Sequence, residues 1–157
     1  MKDKARQDAI NPQKKFAKEL IEMMRLVIEG EPIPAARPRF SGRRTYQPKR
    51  NAVYRLRVQE VSRSAMGGRE PMSGEIVIEV KLYRKYKRTA RIYGDVDNHL
   101  KAIFDGMSGI VFVDDSQIVR CVVEKYTDKT APRTEIKLFE LEVLPDEQKA
   151  CGHDDLI

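Results

Sequence analysis

Residues 94–117 read GDVDNHLKAIFDGMSGIVFVDDSQ, and this one stretch holds a helix, its two ends and the carboxylates of Asp95, Asp97, Asp114 and Asp115. Val96, Leu100, Ile103, Phe104 and Met107 recur at the period of a helix with one buried stripe. Asp97, Lys101 and Asp105 follow at steps of four on a neighbouring face. Gly106, Ser108 and Gly109 are expected to end the helix and turn the chain. Ile110–Val113 is then a short apolar run closed by two aspartates. If that run lay beside the chain entering the helix, Asp114 or Asp115 would come close to Asp95 and Asp97.

Carboxylates gathered in one place repel one another unless a cation sits between them. Oxygen ligands without a companion His or Cys select a hard ion, Mg2+, for which Mn2+ can substitute. Such a site suits phosphodiester hydrolysis, in which the metal activates a water and neutralises charge on the scissile phosphate. Each Asp also has a structural reading, as a helix N-cap or as part of a turn.

Outward from this stretch, the chain has 157 residues, enough for one domain with a single core. Charged residues make up 34% and the net charge is +6, which points to a polyanionic partner. The basic residues fall in two acid-free blocks. Arg37, Arg39, Arg43, Arg44, Lys49 and Arg50, continued by Arg55 and Arg57, form the first. Lys81, Arg84, Lys85, Lys87, Arg88 and Arg91 form the second. Phe40 and Tyr46 lie among the arginines of the first block, where they either stack on unpaired bases or anchor the loop. Cys121 and Cys151 are too few for a disulfide framework, no run is long enough to cross a membrane, and no apolar signal core opens the chain. A cytoplasmic protein with no membrane partner and no organic cofactor is expected.

The pattern predicts an α+β fold: a small mixed, mostly antiparallel sheet with two main helices packed on it and a short N-terminal helical extension. Residues 1–23 are read as that extension, with a short helix beginning at Asn11 and Pro12 and carrying Phe16, Leu20 and Ile21. Residues 24–143 are read as the main domain. Within it, strands are expected at Met24–Glu29, Glu75–Tyr83, Gln117–Tyr126 and Thr134–Val143, the third of them buried with Cys121 as an inert core thiol. A helix is expected over Asn51–Met66, and the prolines of residues 32–50 predict an extended basic loop. Residues 144–157 are read as a flexible tail whose Cys151 and His153 lack the second pair a zinc site needs. Glu79 and Lys81 match half of a nuclease E-x-K signature, but no Asp lies between Asp8 and Asp95 to supply its other half.

The string D-V-D-N-H-L-K, then F-D-G-M and I-V-F-V-D-D-S-Q, resembles the RusA family of Holliday junction resolvases over roughly residues 24–143. The segments Pro32–Arg39 and Thr45–Lys49 are similar to family members as well, while His99 departs from the aliphatic residue expected there. The resemblance implies a Mg2+-dependent endonuclease acting on four-way junctions as a homodimer, in bacteria or their phages. It implies Asp95, Asp97 and Asp115 as metal ligands and Lys101 as the essential lysine, with Asp114, Asn98 and Asp105 in support. Two alternatives remain open at this stage. One is a metal-dependent nuclease acting on other branched or duplex nucleic acid; the other is a non-catalytic basic DNA-binding module.

Overall fold

The computed structural model describes residues 19–36, 39–41, 44–46 and 48–142. Its strands are β1 (Glu19–Glu29), β2 (Arg39–Ser41), β3 (Arg44–Tyr46), β4 (Ile76–Arg84), β5 (Ile118–Thr127) and β6 (Arg133–Glu142), and its helices are α1 (Lys49–Met66) and α2 (Val96–Met107). Four strands form one sheet in the order β1-β6-β4-β5, and β2 with β3 forms a separate hairpin. β1 with β6 and β6 with β4 are antiparallel, whereas β4 and β5 run parallel. Parallel neighbours need a crossover, and α2 supplies it. The expected α+β fold with a mixed, mostly antiparallel sheet and two helices is the one found.

Alternation builds the core. On β1, Met24, Leu26 and Ile28 are buried between exposed neighbours; on β4, Ile76, Ile78, Val80 and Leu82 point the same way, joined by Ile136 and Leu138 of β6. Tyr54, Val58 and Met66 of α1 and Ile103 and Met107 of α2 close over that face. Tyr54 keeps its hydroxyl satisfied at 2.8 Å from Thr134 Oγ1.

Four local readings are corrected. Leu20 and Ile21, placed in an N-terminal helix, belong to β1, where Leu20 pairs with Leu141 and Ile21 with Glu140; the four-residue step from Phe16 to Leu20 fits a helix turn and two strand repeats alike, and the partner strand decides. The rest of that helix and the tail 144–157 lie outside the described residues. The basic loop contains the β2–β3 hairpin, and α1 begins at Lys49. Gly106 does not end α2 but lies buried inside it: a Cβ there would stand 2.7 Å from Val58 Cγ1, so glycine is what lets the two helices approach. β5 is the last strand of the sheet and none of its residues is buried. Cys121 is half-buried there, and burial pushes its thiol pKa up.

Candidate active site

A turn fastened from beneath presents the start of α2. Arg84, 5% exposed at the end of β4, is held by Glu31 at 2.6 Å and donates to the carbonyl oxygens of Ile92 (3.0 Å) and Tyr93. Lys125 Nζ donates to the Gly94 carbonyl at 2.7 Å, and the Tyr93 hydroxyl reaches the Leu82 and Tyr126 carbonyls at 2.6 and 2.8 Å. His99, one turn into α2, places Nε2 2.8 Å from the Tyr93 carbonyl. A carbonyl only accepts, so Nε2 carries the proton and buried Nδ1 is left without a partner. Burial lowers the His99 pKa to about 4, leaving the ring neutral near pH 7. Gly94 has φ 92°, and a Cβ would meet Pro34 Cγ at 2.9 Å and His99 Nε2 at 3.2 Å. This support explains the departure at His99: the ring ties the helix to the turn that carries Asp95.

Asp95 occupies the N-cap position of α2, yet its side chain makes no capping hydrogen bond. Asp95 and Asp97 are both exposed at the helix start, where unpaired backbone N–H groups favour an anion. Lys101 and Asp105 are exposed on the same helix. Among the described residues Lys101 enters no ion pair. With Ala35, Ala36, Asn51, Arg55 and Ala102, Lys101 and Asp105 line a pocket of about 90 Å³. Ala35 N–H donates to the Asn98 carbonyl at 2.8 Å, and Asn51 Nδ2 donates to the Pro34 carbonyl at 2.7 Å, so residues 34–36 strap α1 to α2 beside that pocket.

Asp114 behaves as the turn reading expects. It caps a single turn, Asp115–Gln117, accepting from Ser116 N–H at 3.2 Å and from the Ser116 hydroxyl, and its own N–H donates to Gln117 Oε1 at 2.9 Å. The Ser116 bonds hold its carboxyl below the usual range. Asp115 is exposed beside it. Gln117 Nε2 donates to the carbonyls of Met72 and Gly74 at 2.9 Å each, pinning this turn to the entry of β4.

The run 110–113 therefore lies beside Met72, through a Met72–Phe112 bridge, and not beside the chain entering α2. Asp115 precedes Ile118, which pairs with Ile76, whereas Asp95 sits at the Leu82–Tyr126 end of the same strand pair. From Ile76 to Leu82 is roughly 20 Å at a rise of about 3.3 Å per residue. Within one chain Asp95 and Asp97 come together and Asp115 does not join them. Accordingly, no group of three His, Cys, Asp or Glu able to hold a metal occurs among the described residues.

The basic residues divide by role. Lys85, Lys87, Arg88 and Arg91 are exposed on the loop between β4 and α2, and Lys49 and Arg50 are exposed at the start of α1. Lys49 and Arg50 share a pocket with Glu31, which holds Arg84, so they flank the end of the domain that carries Asp95 and Asp97. Arg39 and Arg44 lie on β2 and β3; Arg37 and Arg43 lie outside the described residues. Arg84, counted with the second basic block, is a buried structural cation, and Lys81 stands 3.9 Å from Glu124. Sequence reasoning missed Glu31, Arg84, Tyr93 and Lys125. Their one visible signal was an acidic residue, Glu31, just ahead of a proline-rich basic stretch.

Residues 29–139 match the family model described as endodeoxyribonuclease RusA. An uncharacterized protein, YqaN of Bacillus subtilis (strain 168), is 26% identical over an alignment that covers 77% of this chain and 99% of that protein. No helix among the described residues is long and apolar enough to cross a membrane.

Proposed function

The chain belongs to the RusA endodeoxyribonuclease family, and from that premise we propose that it resolves four-way DNA junctions by paired symmetric nicks, as a homodimer using Mg2+ or Mn2+. The observation that supports this most is the uncapped Asp95 carboxylate beside Asp97, at a helix start flanked by exposed lysines and arginines. A purely structural N-cap would use that carboxylate on the helix N–H groups.

Asp95 and Asp97 would hold the cation, and Asp115, which lies apart from them within one chain, would be the third carboxylate only as supplied across the homodimer; the all-oxygen donor set fits a hard ion. When bound, that ion supplies a nucleophilic water and neutralises phosphate charge. The free N–H groups of α2 and Lys101, one turn beyond Asp97, draw the scissile phosphate to the helix start. Asp105 orients Lys101 from the shared pocket, and Asn98 keeps the 34–36 strap seated on α2. Asp114 holds the turn that presents Asp115. Lys49, Arg50, Lys85, Lys87, Arg88 and Arg91, together with Arg37, Arg39, Arg43 and Arg44, follow the phosphates of the junction arms, so branch shape governs binding more than base identity.

Asp97→Asn tests the assignment. The variant is expected to bind a synthetic junction with wild-type affinity and to cut it at least a hundredfold more slowly, as loss of a charged ligand from a metal centre implies. Undiminished cutting would remove Asp97 from the site.

A further inference from the structure

We propose that Asn51 is a positioning residue for Lys101: its carboxamide oxygen accepts from the Lys101 ammonium across the gap between α1 and α2, fixing where that charge stands. The proposal rests on the reading of Lys101 given above and goes beyond it in naming what holds the lysine.

Local rules do not account for this asparagine. It stands inside the first turn of α1, past the cap position at Pro48, where it adds nothing to helix formation. It is nevertheless only 8% exposed. Nδ2 donates to the Pro34 carbonyl at 2.7 Å. A carbonyl only accepts, so the carboxamide cannot be turned over, and the buried Oδ1 is the atom left without a partner among the described residues. Buried acceptors in folded proteins are nearly always met by a donor.

The cavity supplies the candidate donors. Asn51 lines it with Ala35, Ala36 and Ala102, whose side chains offer nothing polar, and with Arg55, Lys101 and Asp105. A carboxylate only accepts, so the side-chain donors are Arg55 and Lys101. Consecutive residues fix the spacing to Lys101. Pro34 takes the Asn51 amide, and Ala35 N–H donates to the Asn98 carbonyl at 2.8 Å, one turn of α2 ahead of Lys101. An ammonium carries three N–H donors on a compact centre, which suits three separate acceptors. The guanidinium of Arg55 is a planar fork suited to paired oxygens.

Asp105 alone would hold the lysine poorly. Lys101 and Asp105 are exposed and one turn apart on α2, and such a pair leaves a long side chain free to swing. An acceptor on α1 holds the ammonium from the other side of the gap. Two of its N–H groups then go to Asn51 and Asp105, and the third is left for a phosphate oxygen. The cavity's charge favours that anion, with the cations of Arg55 and Lys101 set against the single carboxylate of Asp105.

Single-turnover cleavage at saturating junction, with urea unfolding of every variant, tests this. Asn51→Ala should cut on the order of tenfold more slowly while junction affinity is kept, as loss of one charge-assisted hydrogen bond to the acting group implies. Asn51→Asp keeps an acceptor and gives up the Nδ2 bond to Pro34, so it should recover most of the rate. In a Lys101→Ala background, Asn51→Ala should cost nothing further. Equal losses in Asn51→Ala and Asn51→Asp would make Asn51 a strut for the 34–36 strap alone. No loss in Asn51→Ala would leave Oδ1 to water in the cavity, and an effect that vanishes with Arg55→Ala but not with Lys101→Ala would give the acceptor to Arg55. Each of these results overturns the proposal. A second measurement separates the contact from the nuclease reading: acylation of Lys101 by an amine reagent, followed by mass spectrometry, should be faster in Asn51→Ala than in the wild type. Equal acylation rates overturn the contact. If the wild type cuts no junction, or Lys101→Ala cuts as fast as the wild type, the reading of Lys101 fails and its positioning with it, while acylation still decides the contact.

Discussion

Acidification should destabilise this protein through His99. The ring is 1% exposed, with Arg84 and Lys125 raising the local potential and Asp95 lowering it; burial is the largest cause of a pKa of about 4. An unfolded histidine titrates near 6.5. The folded state therefore binds its proton less readily than the unfolded state, and the stability this contributes is complete above pH 6.5 and lost as pH falls toward 4. At 1.36 kcal/mol per unit, about 2 kcal/mol disappears between pH 7.5 and 5.0, and roughly 3 kcal/mol once pH is below 4. Against a total of about 5–15 kcal/mol for a domain of this size, that is a large share. Urea unfolding at pH 7.5, 6.0 and 5.0 measures it. His99→Gln places an amide N–H where Nε2 donates and carries no titratable group, so its stability should be nearly flat over the same range. An equal slope in the variant, or none in the wild type, would refute the assignment of a buried neutral His99.

Other perturbations have defined outcomes. Gly106→Ala drives a methyl into the branched side chain of Val58, at 2.7 Å, and should cost about 1–3 kcal/mol in urea unfolding. Arg84→Met strips the Ile92 and Tyr93 carbonyls of a donor and leaves Glu31 without its cation; a loss of about 3 kcal/mol is expected, with a lower melting temperature. Junction binding should weaken with salt at a log-log slope of roughly 0.9 per phosphate contacted, and Arg88→Ala with Arg91→Ala should reduce that slope by about 2. A slope unchanged by both substitutions would take this loop off the DNA.

Much of the fold was legible because local periodicity coincided with tertiary burial. α2 shows its stripe plainly, β4 alternates against Glu79 and Lys81, and α1 carries Tyr54 and Val58 at helical spacing. What escaped depended on partners distant in sequence. A run such as Ile118–Val123 reads the same in the middle of a sheet as at its edge, and only the strand order exposes Val119 and Val122. The placement of Ile110–Val113 hinged on Met72, which nothing nearby in sequence signals. Arg84 was hidden in a basic run because charge alone does not separate a buried donor from a solvated one. The spacing places Asp95 and Asp97 together at one helix start; the distance of Asp115 from them follows from the parallel crossover, which no motif records.

The most direct measurement is cleavage of a synthetic four-way junction beside linear duplex of the same sequence, with and without Mg2+, with the cuts mapped on every strand. Symmetric paired nicks in the junction alone, dependent on the metal and abolished by Asp97→Asn, are the expected result. Tight binding with no cut in Mg2+ or Mn2+, or equal cutting of the linear duplex, would contradict junction resolution as the function.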